Sequence, residues 1–206
     1  MFGLLKKKST ANSPEEIFWN WFIKNKTKIE NFIDSELTDY SVYNTLTNKI
    51  KSYNSLLVPE LTKNNDNKYV LIITPDGIKD GVQPTKKLAQ ACPPIENWVI
   101  LKFRQPSDSI TLNFKGLQYP SSDIEIIPEV DTNKEVVNID VFIRNMNEDP
   151  KKYQSLAFLY FDHILGEFNT ITRVGYIEFH HLDEGKTVEN SITLLDLRNL
   201  IAKELY

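Results

Sequence analysis

The chain has 206 residues, of which 41% are hydrophobic and 25% charged, a balance typical of a globular protein and not of a disordered or fibrous one. Its net charge of -4 argues against a nucleic-acid surface, because such a surface concentrates Lys and Arg against the phosphates. The single cysteine, Cys92, excludes an intramolecular disulfide.

The first segment, residues 1–12, is expected to form a flexible basic tail. Its lysines at positions 6–8 follow a short apolar run, which is the reverse of the order in a secretory signal. No stretch of the sequence approaches the ~20 apolar residues that a transmembrane helix needs. The sequence therefore predicts a cytoplasmic protein with no membrane span, and a single domain over residues 13–206.

Two amphipathic helices are predicted next. The first opens at Pro14, because Ser13 can cap it and Glu16 completes a capping box, although a kink within residues 25–28 is compatible with the pattern. The second covers about residues 39–53 and carries its apolar side chains on one face.

The aromatic residues of the first helix allow two interpretations. Trp19, Trp21 and Phe22 are candidates for an exposed face that binds a partner protein, because aromatic side chains are favoured as interface anchors. Packing inside the domain explains the same residues and is favoured.

Strand patterns dominate the middle of the chain. Residues 56–61 and 69–73 predict a hairpin, and Pro59 favours a place for its first strand at a sheet edge. A turn at residues 74–77 and a short helix over residues 82–91 follow. The further predicted strands are 98–103, 110–114, 117–119, 124–127, 136–144 and 171–179.

An almost wholly apolar helix is predicted after Asp149, which can cap it, and Pro150, which suits its first turn. Gly166 is expected to end this helix in a left-handed conformation, and a terminal helix covers about residues 194–205. The whole pattern predicts an α+β fold with a largely antiparallel sheet of about seven strands, an N-terminal helix pair, and packed central and C-terminal helices.

A metal site is one hypothesis for the histidines. His163 and Glu167 have the i, i+4 spacing of a helical metal pair, and His180 and His181 offer two further imidazoles. Against this, Gly166 is expected to end the helix and to turn Glu167 away from His163. A structural role is therefore favoured over metal binding, and no cofactor is predicted.

Asp162 is the most unusual polar residue, because a carboxylate near a helix C-terminus opposes the helix dipole and lies among apolar side chains. A brace to Arg173, or to the backbone amides of residues 167–170, is favoured over a catalytic role. Glu178 and His180 alternate onto one face of the last strand, where they are acid-base candidates, although exposed polarity at a sheet edge gives the same pattern. The catalytic candidates are Asp162, His163, Glu178 and His180, and Arg173 is also a candidate binding residue.

Other catalytic signatures are not supported. The run from Gly185 to Thr187 looks like the end of a phosphate-binding loop, but His180 stands where that motif needs a glycine. The sequence has seven glycines and no GxGxxG pattern. Cys92 lies at a predicted helix C-terminus, where the dipole disfavours a thiolate.

Several segments together resemble a family of uncharacterised bacterial cytoplasmic proteins. They are the aromatic run 18–22, the turn 75–78, the strand from Trp98 to Arg104, and the segment 162–167, with the sequence DHILGE. The resemblance extends from about Phe18 to Phe179. The family has no assigned activity, so the resemblance implies a bacterial, cytoplasmic protein and no mechanism.

The leading functional hypothesis is a non-catalytic cytoplasmic interaction or regulatory module with an unidentified protein partner. The alternative is a hydrolase, with or without a metal, that uses a polar site around Asp162, His163 and His180. A third hypothesis, an immunity-type protein that masks a basic toxin, depends on the acidic net charge alone.

Overall fold

The computed structural model describes residues 12–35, 38–108, 112–114 and 117–206. Apart from Asn12, the predicted basic tail lies outside these residues. Where the sequence suggested a single domain, the backbone contacts group the chain into two compact units. The first unit contains residues up to 73 together with 83–102, and the second contains 74–82 together with 103–206. Each unit has its own hydrophobic core.

The first unit begins with helices α1 (Pro14–Asp34) and α2 (Tyr40–Tyr53). The predicted capping box is confirmed, since the Ser13 hydroxyl accepts the Glu16 N–H and the Glu16 carboxylate accepts the Ser13 N–H. Helix α1 runs through residues 25–28 without a break. No helix in the described part of the chain is both long and apolar enough to cross a membrane.

The sheet of the first unit contains strands β1 (Val58–Lys63), β2 (Tyr69–Thr74) and β3 (Trp98–Lys102), in the order β1-β2-β3. Strand β1 lies at an edge, as Pro59 predicted. Strands β2 and β3 are parallel. Helix α3 (Val82–Gln90) connects them, because parallel neighbours need a crossover connection.

The second unit contains a separate two-stranded sheet and a three-stranded sheet. In the first of these, β4 (Leu112–Phe114) and β5 (Leu117–Tyr119) form the predicted antiparallel hairpin. In the second, β6 (Ile124–Asp131) pairs antiparallel with β7 (Val136–Arg144), and β7 pairs parallel with β8 (Val174–Leu182). The α+β class is therefore confirmed, whereas the expectation of one largely antiparallel sheet of about seven strands is wrong.

One face of β7 is apolar, as its alternating sequence predicted. The buried residues of this face are Val137, Ile139, Val141 and Ile143. They share a core with helices α4 (Pro150–Phe161) and α6 (Leu194–Glu204). The opposite face of β7 carries Asn138, Asp140 and Arg144, and the same face of β8 carries Glu178 and His180.

The chain between α4 and β8 differs from the prediction. A π-helical segment (Asp162–Gly166) follows α4, and helix α5 (Glu167–Arg173) occupies the residues where the last strand was expected to begin. The hydroxyls of Thr170 and Thr172 donate to carbonyls four residues earlier. Bonds of this kind are common for threonine within helices, where its hydroxyl can reach the carbonyl of the preceding turn.

Candidate functional site

A polar cluster lies inside the second unit, where residues 74–77, 103–104 and 162–167 meet. It is centred on one guanidinium group and is called the Arg104 cluster here. Its members are Thr74, Asp76, Arg104, Asp162 and Glu167.

Glu167 is the fully buried member of the cluster, with 0% of its surface exposed. Its Oε1 atom accepts hydrogen bonds from the Thr74 hydroxyl at 2.5 Å and from the Gly77 N–H at 3.1 Å. Its Oε2 atom accepts the backbone N–H of Arg104 at 3.1 Å. A buried carboxylate is tolerated when its oxygens are satisfied in this way.

Arg104 pairs with the other two carboxylates. Its guanidinium lies 2.8 Å from Asp76 Oδ1 and 3.2 Å from Asp162 Oδ2. The expected brace of Asp162 therefore exists, but Arg104 makes it, not Arg173. The side chain of Arg173 donates instead to Glu135 Oε2 at 2.8 Å.

Asp162 has an unusual protonation equilibrium. Burial raises the pKa of its carboxyl to about 6, and the negative charges of Glu167 and Asp76 act in the same direction, while Arg104 opposes the shift. Three carboxylates thus share one guanidinium. A carboxyl with this pKa can both donate and accept a proton near neutral pH.

The backbone around the cluster adopts several uncommon conformations. Asp76 and Gly77 have φ angles of 50° and 80°, and the Ile78 N–H donates to the Pro75 carbonyl, which identifies a type I′ turn. Phe103 has a φ of 66°. Residues in such conformations often gather at functional sites, where the surrounding contacts hold them.

The four residues that the sequence offered as a metal hypothesis, although a structural role was favoured, do not come together. Both oxygens of Glu167 are occupied by hydrogen bonds, and His163 lies in the π-helical segment, outside any group of potential metal ligands among the described residues. The ring of His181 contacts Asp183 at 3.1 Å and the Asn147 N–H at 3.3 Å. His180 belongs to a different group of residues.

That group is the β8 triad, which consists of Asp140, Glu178 and His180. Their potential ligand atoms all lie within 4.8 Å of one another, and they form the one group of this kind among the described residues. Glu178 and His180 share a face of β8, as predicted. Asp140 was missed, because no pattern in the sequence indicates that β7 lies parallel beside β8.

The aromatic residues of α1 do not form an exposed binding face. Trp19 and Phe22 have 1% and 0% of their surfaces exposed, and the Trp19 indole N–H donates to the Leu88 carbonyl at 2.8 Å. Trp21 is half-buried and lines a cleft of about 580 Å³ along α1 and α2. The favoured interpretation, packing inside the protein, therefore describes Trp19 and Phe22.

The fold and these sites define an α+β protein with an arginine-centred carboxylate cluster and a polar triad on a sheet face. Comparison with protein-family models, curated proteins and solved structures finds no match for this chain. The resemblance to an uncharacterised bacterial family therefore stays a prediction.

Proposed function

We propose that the protein is a non-catalytic interaction module that binds an extended segment of a partner protein along strand β8. The observation that carries the proposal is the position of β8, a nine-residue strand that pairs with β7 on one side. In the part of the chain that the structure describes, no strand pairs with its other side. Such an edge presents backbone N–H and C=O groups to which an added strand can bond.

The edge lacks two common forms of protection against strand addition. Proteins commonly protect edge strands with proline or lysine, and β1, an edge of the other three-stranded sheet, contains Pro59 and Lys63. Strand β8 has the sequence VGYIEFHHL and contains neither residue type. This contrast supports a binding role for β8.

The side chains around β8 suggest what the bound segment contains. On the helix side, Phe158 of α4 is 45% exposed, and its ring lies 5.7 Å from that of Phe179. On the opposite face, Asp140 and Glu178 are acidic and accessible to solvent. Because side chains of an added strand alternate between these faces, we infer a segment with alternating apolar and basic residues.

A fluorescent peptide of about eight residues with alternating Val and Lys tests this proposal by anisotropy. We expect it to bind, and we expect Phe158→Ala to weaken binding about tenfold, because the apolar contact is lost. Leu195→Ala is the matched control, since Leu195 is 40% exposed on α6. Leu195 lies three positions after Ile192. Because Ile192 pairs with Ile126 of β6, Leu195 is near the opposite edge of the sheet.

Two peptide controls separate strand addition from other binding. N-methylation of alternate residues removes every second backbone donor, and the methyl groups can be placed on the odd or on the even residues. One of these two peptides should lose binding, because its methylated donors are those that bond to β8. Replacing Lys by Glu should weaken binding through repulsion from Glu178. Equal binding of all four peptides, or equal effects of Phe158→Ala and Leu195→Ala, would contradict the proposal.

A hydrolase is the second candidate, and the raised pKa of Asp162 is the observation that favours it. The neighbouring guanidinium of Arg104 offers a positive charge to a developing anion. His180, which the sequence grouped with Asp162, contacts Asp140 and Phe142 in the β8 triad region instead. This candidate therefore depends on the Arg104 cluster alone.

The substitution Asp162→Asn tests the protonation behaviour and the hydrolase together. The folded state binds more protons than the unfolded state between pH 3.8 and about 6, so the wild type should lose stability as pH rises through this interval. Relative to the variant, we expect the unfolding free energy of the wild type to fall by on the order of 1–2 kcal/mol. The loss stays moderate because the carboxyl keeps some contact with water. Urea unfolding at several pH values measures this difference.

The same variant decides the catalytic question. A panel of chromogenic esters and phosphate esters should show turnover by the wild type and none by a folded Asp162→Asn protein if the cluster is catalytic. No turnover by the wild type on this panel would remove the support for a hydrolase of these substrates. If the difference in unfolding free energy between the wild type and Asp162→Asn does not change with pH, the pKa of Asp162 is not raised.

A further inference from the structure

We propose that the β8 triad binds one divalent transition-metal ion of the Zn²⁺ class. The site consists of a His180 nitrogen from β8, a Glu178 oxygen from the same strand and an Asp140 oxygen from β7. This inference is independent of the peptide-binding proposal, because it concerns the protein with no peptide present.

The distances suit a metal with short bonds. The Nε2 atom of His180 lies 3.3 Å from Asp140 Oδ1. In a tetrahedral Zn²⁺ site with bonds of about 2.0–2.2 Å, two ligand atoms lie about 3.3 Å apart, which matches this distance. The third ligand atom lies within 4.8 Å of both, and Glu178 is an exposed side chain whose rotation can close the remaining distance.

The charges around the triad favour a cation. Asp140 and Glu178 are direct partners in the register of β7 and β8, and like charges in this position repel one another. Arg144 is on the same face of β7, but it pairs with carboxylates outside the triad: it lies 3.4 Å from Asp123 and 3.8 Å from Glu125. A bound metal would stabilise the two carboxylates of the triad.

The imidazole ring is held in a suitable orientation. The ring of Phe142 stacks on His180 with centroids 4.7 Å apart and planes 22° apart. An imidazole ligand selects Zn²⁺, Co²⁺ or Ni²⁺ over Mg²⁺ and Ca²⁺, which prefer oxygen ligands. The metal would bind Nε2 of the neutral ring, whose one proton would then be on Nδ1, and a proton on Nε2 would compete with the metal, so binding should weaken in acid.

Isothermal titration with Zn²⁺ in a buffer that does not chelate metals tests the site. We expect one ion per chain, and at least about a tenfold loss of affinity in His180→Ala and in Glu178→Gln, since even changes to residues that only support a metal ligand commonly have this effect. His181→Ala is the matched control, because His181 is the next residue and points to the opposite face of β8. Mg²⁺ in place of Zn²⁺ should give no binding.

A second readout identifies the ligand directly. The chain has three histidines, so a long-range ¹H–¹⁵N spectrum resolves each imidazole, and Zn²⁺ should shift the Nε2 signal of His180 alone. Circular dichroism of each variant shows whether it remains folded, and Glu178→Gln replaces an exposed carboxylate by an amide of similar size. Absence of Zn²⁺ binding, or binding that survives unchanged in His180→Ala, would overturn the proposal.

Discussion

Replacing Glu167 by alanine is expected to lower the free energy of unfolding by about 3–5 kcal/mol. The change leaves the Thr74 hydroxyl and the backbone N–H groups of Gly77 and Arg104 without their acceptor. It also leaves the guanidinium of Arg104 with one carboxylate fewer and opens a cavity. Urea unfolding followed by circular dichroism measures the loss.

Two further variants test whether the buried carboxylate is the cause. Glu167→Gln keeps the volume of the side chain but directs an amide donor at an existing donor, so it should also destabilise the protein strongly. Glu184→Ala removes an exposed carboxylate and should change stability by about 0.5 kcal/mol or less. A small effect of Glu167→Ala, close to that of Glu184→Ala, would refute this account of the cluster.

The bonds of Glu167 also explain why this residue is a poor candidate for catalysis. Both carboxylate oxygens already accept hydrogen bonds, so binding a substrate or a metal would break existing contacts. Asp162 differs, because it is partly accessible and its pKa is raised to about 6. The cluster thus combines a structural carboxylate with one that can exchange a proton.

Local features of the structure were predictable from the sequence. Ser13 and Asp149 cap helices where expected, and the turn at residues 74–77 is present. These features depend on neighbouring residues, so their physical causes can be read from a short window of sequence. The alternation along β7 likewise predicted its buried face.

Pairings over long sequence distances were not predictable. Asp162 binds Arg104, which lies 58 residues away, although Arg173 is much closer in the sequence. The triad needs Asp140 beside Glu178, and this depends on a parallel register made possible by helices α4 and α5. Hydrophobic patterns indicate which face of a strand is buried, but they do not indicate which strand lies next to it.

The substitution Gly166→Ala is expected to destabilise the protein by about 3 kcal/mol, through two effects. Gly166 has φ 81° and ψ 142°, a conformation that residues with a side chain rarely adopt. A Cβ atom there would lie 3.0 Å from Pro106 Cδ and 3.2 Å from the Pro106 nitrogen. The loop around Pro106 has little freedom to move, because hydrogen bonds tie Arg104 and Ser107 to residues 163–167.

Gly77→Ala separates these two effects, since Gly77 has a φ of 80° but no atom within 4 Å of the added Cβ. It should therefore lose only the conformational part, about 1 kcal/mol. The difference between the two variants, measured by urea unfolding, reports the contact between Gly166 and Pro106 together with the additional conformational cost of ψ 142° at Gly166. If both variants lose the same stability, the loop around Pro106 moves aside at no cost, and its hydrogen bonds to residues 163–167 do not hold it in place.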